Sequence, residues 1–409
     1  MVPTPSRFCQ LITCVACGVL LAGAASAQEA AQAPVDREAA AAPPPEPSAW
    51  RWTTNANVFF GFNHQQRKFR DFSAWESQNW LMAAGERDIP NGSVRLTSMF
   101  SLEPFTIQDI GSPQAFQTGE TFQRAPLVDY QHPHDLFMNL GAELRRSVGR
   151  ARLIVGVDLV GAPTVGPEIF MHRPSGVDNP QAPLSHHHLD STHSTAGVLR
   201  GAILLGAWRL EGSRFRGREA DENRTDLDLG ALDSYAVRLV WTHGPWSAQL
   251  SGADLKEPEF VTPYDARRLT ASVAHTTVDG DRSIAWLAAV GQNREIHGNL
   301  EAYLLEAAFR PTRRHSIYGR IESVAKDILD AGFHPRGTFH RHRQSQVGAF
   351  TAGYIREILQ TRVGSFGLGG DVTAYIVPRN LKDAYGSPAS FHVFLRYRAR
   401  PLFDAAHHH

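Results

Sequence analysis

The sequence predicts an all-β protein, a transmembrane antiparallel β-barrel of about sixteen strands (range roughly 14–18) with short periplasmic turns and long extracellular loops. Three observations carry this. The chain opens on an export signal. Segments of about ten residues then alternate apolar and polar positions. The connections between those segments tend to alternate short and long.

Residues 1–27 have the parts of a signal peptide: Arg7 as the positive end, a mostly apolar stretch from Leu11 to Ala25, and the small-residue site Ala25-Ser26-Ala27. The three cysteines, Cys9, Cys14 and Cys17, all lie inside it, so the expected mature chain from Gln28 has none. Residues 28–50 are rich in Ala, Pro, Gln and Glu and read as a flexible periplasmic lead-in. The barrel is expected over 51–400 and a tail over 401–409. The closing His407-His408-His409 reads as a tag remnant and is set aside.

Composition narrows the class. The chain of 409 residues is 42% hydrophobic, too apolar for disorder, with 41 basic and 41 acidic residues. Removing Arg7 leaves 40 basic against 41 acidic, so no positive field exists to attract nucleic acid. Past residue 27 no apolar run reaches the roughly 18 residues a spanning helix needs.

The strands fall near 52–62, 75–84, 93–102, 135–145, 150–160, 194–203, 207–216 and 233–242. The remainder lie near 245–254, 267–276, 282–291, 300–310, 315–324, 347–356, 365–376 and 389–398. In one of them Leu153, Val155, Val157 and Leu159 alternate with Arg152, Ile154, Gly156 and Asp158. In the last, Phe391, Val393, Leu395 and Tyr397 share a face. Period two with charges on one side means one apolar face, for lipid, and one polar face, for a lumen. A soluble sandwich would show the same alternation, but it would not require the loop pattern.

Short links include Ser147-Val148-Gly149-Arg150, Thr242-His243-Gly244-Pro245, Val278-Asp279-Gly280-Asp281 and Pro311-Thr312-Arg313-Arg314. Long ones are expected near 63–74, 103–134, 161–193, 217–232, 255–266, 325–346 and 377–388. Five prolines stiffen 161–193, so that loop could fold inward and constrict the pore. Trp52, Phe59, Phe60, Trp75, Trp80, Trp208, Trp241, Trp246 and Tyr397 sit near segment ends, as interfacial girdles would.

By alternation the lumen is lined by Arg95, Glu143, Arg152, Asp158, Arg209, Glu211, Arg238, Arg320, Glu322, Arg396 and Arg398. The set is balanced in sign and gives no strong ion preference. Histidine is the anomaly: sixteen lie outside the terminal run, most of them in long loops. Neutral imidazole is the commonest transition-metal ligand. His132, His134, Asp135, His172, His186, His187, His188 and His193 are therefore candidate ligands for Zn(II) or Cu(II), with His334, His340 and His342 in a further loop. Alternation would point His132 and His134 to one side. The competing reading is a structural hydrogen-bond network in which imidazoles pair with Asp135 and Asp190. Ser175, Ser185, Ser191, His186, His193 and Asp190 also supply the residue types of a Ser-His-acid hydrolase, but without a nucleophile-elbow pattern.

Several runs together resemble a group of Gram-negative exported proteins. They are Ser101-Leu102-Glu103-Pro104, Gln117-Thr118-Gly119-Glu120, Gln131-His132-Pro133-His134-Asp135, Met171-His172-Arg173-Pro174-Ser175, Asp190-Ser191-Thr192-His193, Gly217-Arg218-Glu219, Leu232-Asp233-Ser234-Tyr235 and Val393-Phe394-Leu395-Arg396. That family looks like outer-membrane β-barrels with no assigned role. The resemblance implies no reaction and no ligand, so no functional residues carry over from it. The chain departs from outer-membrane barrels generally in extending past Tyr397 to His409 instead of ending on an aromatic last strand.

The expectation is an outer-membrane, porin-like channel for passive diffusion of small hydrophilic solutes, with no cofactor beyond the Zn or Cu option and no catalytic residues. Expected partners are outer-membrane lipid, lipopolysaccharide and the solutes, with a homotrimer as one option and nucleic acid excluded. The alternatives are a metal-binding or metal-gated barrel and an outer-membrane hydrolase.

Overall fold

A computed structural model describes residues 49–260, 264–296, 298–329 and 343–399. The signal peptide, most of the lead-in, the tail from residue 400 and His334, His340 and His342 lie outside the described residues.

Each expected segment is a strand. β1 (Arg51–Arg67) is followed by β2 (Arg70–Glu76), β3 (Asn79–Ile89) and β4 (Gly92–Phe100). An inner pair, β5 (Ser112–Phe122) and β6 (Ala125–Gln131), precedes β7 (Phe137–Val148), β8 (Ala151–Gly161), β9 (Thr195–Leu205) and β10 (Trp208–Phe215). Then come β11 (Ser234–His243), β12 (Trp246–Leu255), β13 (Ala266–Asp279), β14 (Arg282–Glu295) and β15 (Gly298–Thr312). The wall ends with β16 (His315–Lys326), β17 (Ser345–Gln360), β18 (Gly364–Ile376) and β19 (Ala389–Ala399). β1 pairs antiparallel with β19, which closes the sheet. β2 and β3 both pair with β1 along its length, so the seventeen strands of the wall occupy sixteen positions. Closure leaves no unpaired edge, which a spanning sheet in lipid requires.

The faces follow the alternation. Leu153, Val155, Val157 and Leu159 point outward and exposed, while Gly156 and Asp158 are buried inside. Two aromatics expected in the girdles face inward instead. Phe59 packs edge-on against Phe394 at 5.3 Å, and Trp80 against His172 at 4.6 Å. Both sit on the lumen parity of their strands, so proximity to a strand end misassigned them.

The expected long loop at 63–74 is mostly strand. Asn63 to Arg67 and Arg70 to Ala74 pair with each other, joined only by Lys68 and Phe69. Both faces are polar there, which hid the period.

The loop expected near 103–134 holds the inner hairpin β5–β6, a two-stranded sheet separate from the wall. Nearly all of β5 is buried. It is fastened to β1: Asn63 Nδ2 donates to the Pro113 carbonyl at 2.8 Å, and the Ala115 amide donates to Gln65 Oε1 at 3.1 Å. The segment between β8 and β9 (162–194) also turns inward and crosses the lumen. Its contacts run from β10 (Thr164 amide to Ser213) through β12 (Gly166 amide to Ser251) and β13 (Arg268 to Ser191). They continue to β14 (Asn293 to the His187 carbonyl), β16 (Ser185 to Glu322) and β1 (Asn57 to the Val177 carbonyl). Gln181 Nε2 donates to the Pro113 carbonyl at 2.9 Å, tying the segment to the hairpin.

Exposure of inward residues records the filling. Along β8 it falls from exposed Arg152 at the short-turn end to buried Val160 at the long-loop end. β12 runs the same way, from half-buried Ser247 and Gln249 to buried Leu255. On this side the lumen is filled near the long loops and wetter below them, whereas on the β15–β19 side the filling reaches the short-turn ends, where Ser316, Tyr318, Ile355, Phe394 and Arg396 are buried.

Gly291 of β14 shows how close the packing is. A Cβ there would lie 2.3 Å from the His188 carbonyl oxygen, so the absent side chain lets the short helix His186–Leu189 rest on the wall. Gly291→Val is expected to lift that helix and cost about 1–3 kcal/mol, read as a lower unfolding temperature.

Candidate functional site

Two groups of side chains stand in the filled lumen. The first consists of ion pairs that pin the 162–194 segment. Arg173 bonds Asp190 Oδ2 at 2.5 Å and Glu306 Oε1 of β15 at 2.7 Å. Asp178 accepts from Arg310 Nη2 at 2.7 Å, and from Arg396 and Ser316. Arg398 lies 4.0 Å away. Asp178 is fully buried and Arg173 is 2% exposed. Burial pushes the Asp178 carboxyl up, but the Arg310, Arg396 and Arg398 guanidiniums outweigh it and hold the carboxyl well below the usual carboxylate range.

These pairs revise the expected lumen lining. Arg396, Arg320, Glu322, Glu143 and Asp158 face inward but are buried beneath loops or in pairs, so they do not line open water. Glu143 and Asp158 share Arg200, and Glu211 pairs with Arg209 and Arg238. Arg95 lies opposite Glu143 across β4 and β7 and is half-buried. Arg152 is exposed at the short-turn end. Inward parity was legible; burial was not, because it depends on which loops enter.

The second group is the histidines. Five rings form a chain: His134 to His193 at 5.2 Å, His193 to His186 at 5.3 Å, His186 to His187 at 5.4 Å, and His187 to His132 at 5.9 Å between centroids. Each Nδ1 meets an oxygen that can only accept. These are Glu103 for His134 (2.8 Å), Asp190 for His186 (2.7 Å) and Glu259 for His187 (3.1 Å). The carbonyls of Asp190 and Pro133, each at 3.0 Å, serve His193 and His132. In His186, His187 and His193 Nδ1 therefore carries the proton and Nε2 keeps its lone pair, whereas both ring nitrogens of His132 face acceptors. The Nε2 atoms of His134, His187 and His193 are buried without a hydrogen-bond partner. Burial holds His186 down to about 4 and His132 and His193 well below the ordinary imidazole value. His134 is the exception: burial would lower it, but the Glu103 carboxylate raises it.

Three carboxylates from separate loops join the His132–His187 end. His132 Nε2 is 3.0 Å from Glu120 Oε1, and His187 Nδ1 is 3.9 Å from Glu219 Oε1. Glu120, His132 and Glu219 bring one ligand atom each within 4.8 Å of one another, as do His187, Glu219 and Glu259. Burial pushes Glu219 up to about 8, with Glu259 and Glu120 adding to it against His187. Burial likewise lifts Glu120 to about 7 against Arg224.

The remaining sequence candidates lie elsewhere. His132 and His134 diverge, one toward His187 and the other toward His193. His172 stands apart against Trp80 and Met99. Asp135 pairs with Arg224 at 3.3 Å. His188 is buried beside Arg268 and Lys326, and neither ring nitrogen has a side-chain partner. The serines are committed to other groups. Ser175 donates to Glu306 and Ser185 to Glu322, and Ser191 accepts from Arg268. Glu120, Glu219 and Glu259 escaped sequence reading as ligands because single carboxylates far apart along the chain give no local spacing signal.

A closed sixteen-position antiparallel barrel with an outward apolar band and loops folded into its lumen has the fold seen in outer-membrane porins. Among solved structures the chain is similar to the anion-selective porin from Comamonas acidovorans, with a TM-score of 0.50 at 12% identity over 86% of this chain and 99% of that one. It is also similar to OprB of Pseudomonas putida, with a TM-score of 0.52 at 10% identity over 86% and 94%. At such identities the likeness is one of fold. No family model matches the chain, and no curated protein matches it in sequence.

Proposed function

We propose that the barrel is a restricted channel for passive diffusion of small hydrophilic solutes, narrowed by the inner hairpin and by the 162–194 segment, which reaches the short-turn ends of β15, β16 and β19. The observation that carries this is the 162–194 segment itself, which crosses the lumen from β10 to β1 and is pinned through Asp178 to Arg310 and Arg396, while Arg152 on the β8 side stays exposed to water. An ion-paired lumen balanced in sign suits small neutral or zwitterionic solutes better than one class of ion. The reading assigns no chemical step, in keeping with serine hydroxyls directed at Glu306 and Glu322. Lipid and lipopolysaccharide surround the outward face in this reading. Assembly as a homotrimer would show as a threefold mass in native mass spectrometry.

Uptake into proteoliposomes tests it. Swelling should be fast with a three-carbon polyol and fall steeply by the size of a trisaccharide. Absence of protein-dependent swelling with every solute would remove the channel reading.

A further inference from the structure

We propose that the extracellular mouth holds divalent first-row transition-metal ions, with Glu219 as the ligand shared by two donor triads, Glu120–His132–Glu219 and His187–Glu219–Glu259. This is independent of solute passage, because it concerns binding to the loops alone.

Unsatisfied groups are the first support. Both oxygens of Glu219 are buried without a hydrogen-bond partner, and so is Nε2 of His187. Unpaired buried groups of this kind cost free energy that a cation would recover. His132 is the second. Its Nδ1 meets the Pro133 carbonyl, so a neutral ring turns the Nε2 lone pair toward Glu120 Oε1 at 3.0 Å. Two acceptors at that distance need a proton or a metal ion between them.

The backbone is shaped for the same purpose. Gly119 has φ +132°, and a Cβ there would come within 2.3 Å of the His187 ring. Ligand atoms within 4.8 Å of one another need to close by roughly 1–1.5 Å to reach bond lengths of about 2.0–2.2 Å. That is within reach of glutamate rotamers on loops. A cleft of about 360 Å³ lined by Glu120, Glu219 and Glu259 gives entry.

The donor set selects the ion. The one imidazole in each triad disfavours calcium and magnesium, which take oxygen ligands. The absence of thiolate or thioether donors disfavours Cu(I). Carboxylates with imidazole suit Zn(II) and its neighbours. The Nδ1 of His132, anchored on the Pro133 carbonyl, matches the way metal-bound histidines are oriented by a second partner.

The test is zinc titration of the folded full-length chain carrying His407→Ala, His408→Ala and His409→Ala, after chelator treatment, with bound zinc counted by elemental analysis. Two zinc ions per chain, at micromolar affinity or tighter, are expected. Glu219→Gln should weaken both by about 100-fold or more. His132→Gln and His187→Gln should each leave about one, and Gly119→Val should weaken the His187 side. Exposed His243→Gln should change nothing. Heat-modifiable gel mobility and circular dichroism establish that each variant is folded. Binding no tighter than millimolar in the folded chain, a single zinc per chain, or two zinc ions surviving Glu219→Gln would overturn the proposal.

Discussion

Replacing Asp178 by Asn is expected to release the 162–194 segment from the far wall and to lower stability by roughly 3–5 kcal/mol, the cost of breaking a buried ion pair from one side. One carboxylate there answers Arg310 and Arg396, with Arg398 nearby and a hydroxyl from Ser316. The asparagine keeps the shape but leaves buried guanidiniums underpaired, although Arg396 retains Glu357. Chymotrypsin should then cut after Phe170, which is buried in the native chain. The pH dependence has a definite sign. The folded carboxyl lies below its ordinary value near 4, so its stabilisation is fully present above that pH and is lost as pH falls through the folded value. Lowering the pH from 7 to 5 should leave the native segment in place. Release belongs to stronger acid, read as chymotrypsin sensitivity after brief acidification, and Asp178→Asn should remove this acid step.

Replacing Arg173 by Met should have an effect of similar size through the opposite charge. It leaves Asp190 and Glu306 buried without their common partner, and it strips the Glu168 carbonyl of a donor. A loss of about 3–5 kcal/mol is expected for the single change. Adding Glu306→Gln should recover part of it, because one uncompensated charge is removed and Arg320 still faces the site at 3.6 Å. Thermal unfolding of the two single variants and the double variant completes the cycle. Strict additivity would show that the pair does not act as a unit.

The wall was legible because lipid imposes period two without exception: Val155, Val157 and Leu159 had no other place to go. The inner hairpin was not. Ser112 to Thr121 of β5 are buried on both faces inside a polar lumen, so neither apolar alternation nor a hydrophobic run marks them. The extension of β1 and β2 past the apolar band failed for the same reason, since Asn63, Gln65 and Asp71 lack contrast with their neighbours. In the site, clustering drew attention to His132, His186, His187 and His193. The partners Glu120 of His132, and Glu259 and Glu219 of His187, are far off in sequence and converge only once the loops fold inward. Glu120 and Glu219 lie in runs that carried the family resemblance, but a run of letters does not say which atoms face each other.

The most direct test of the filled lumen is single-channel conductance in a planar bilayer, comparing the native chain with one in which residues 164–191 are replaced by a short Gly-Ser link. The account predicts a small or closed native conductance and a several-fold larger one after deletion. A native conductance already equal to that of the deleted chain would contradict it.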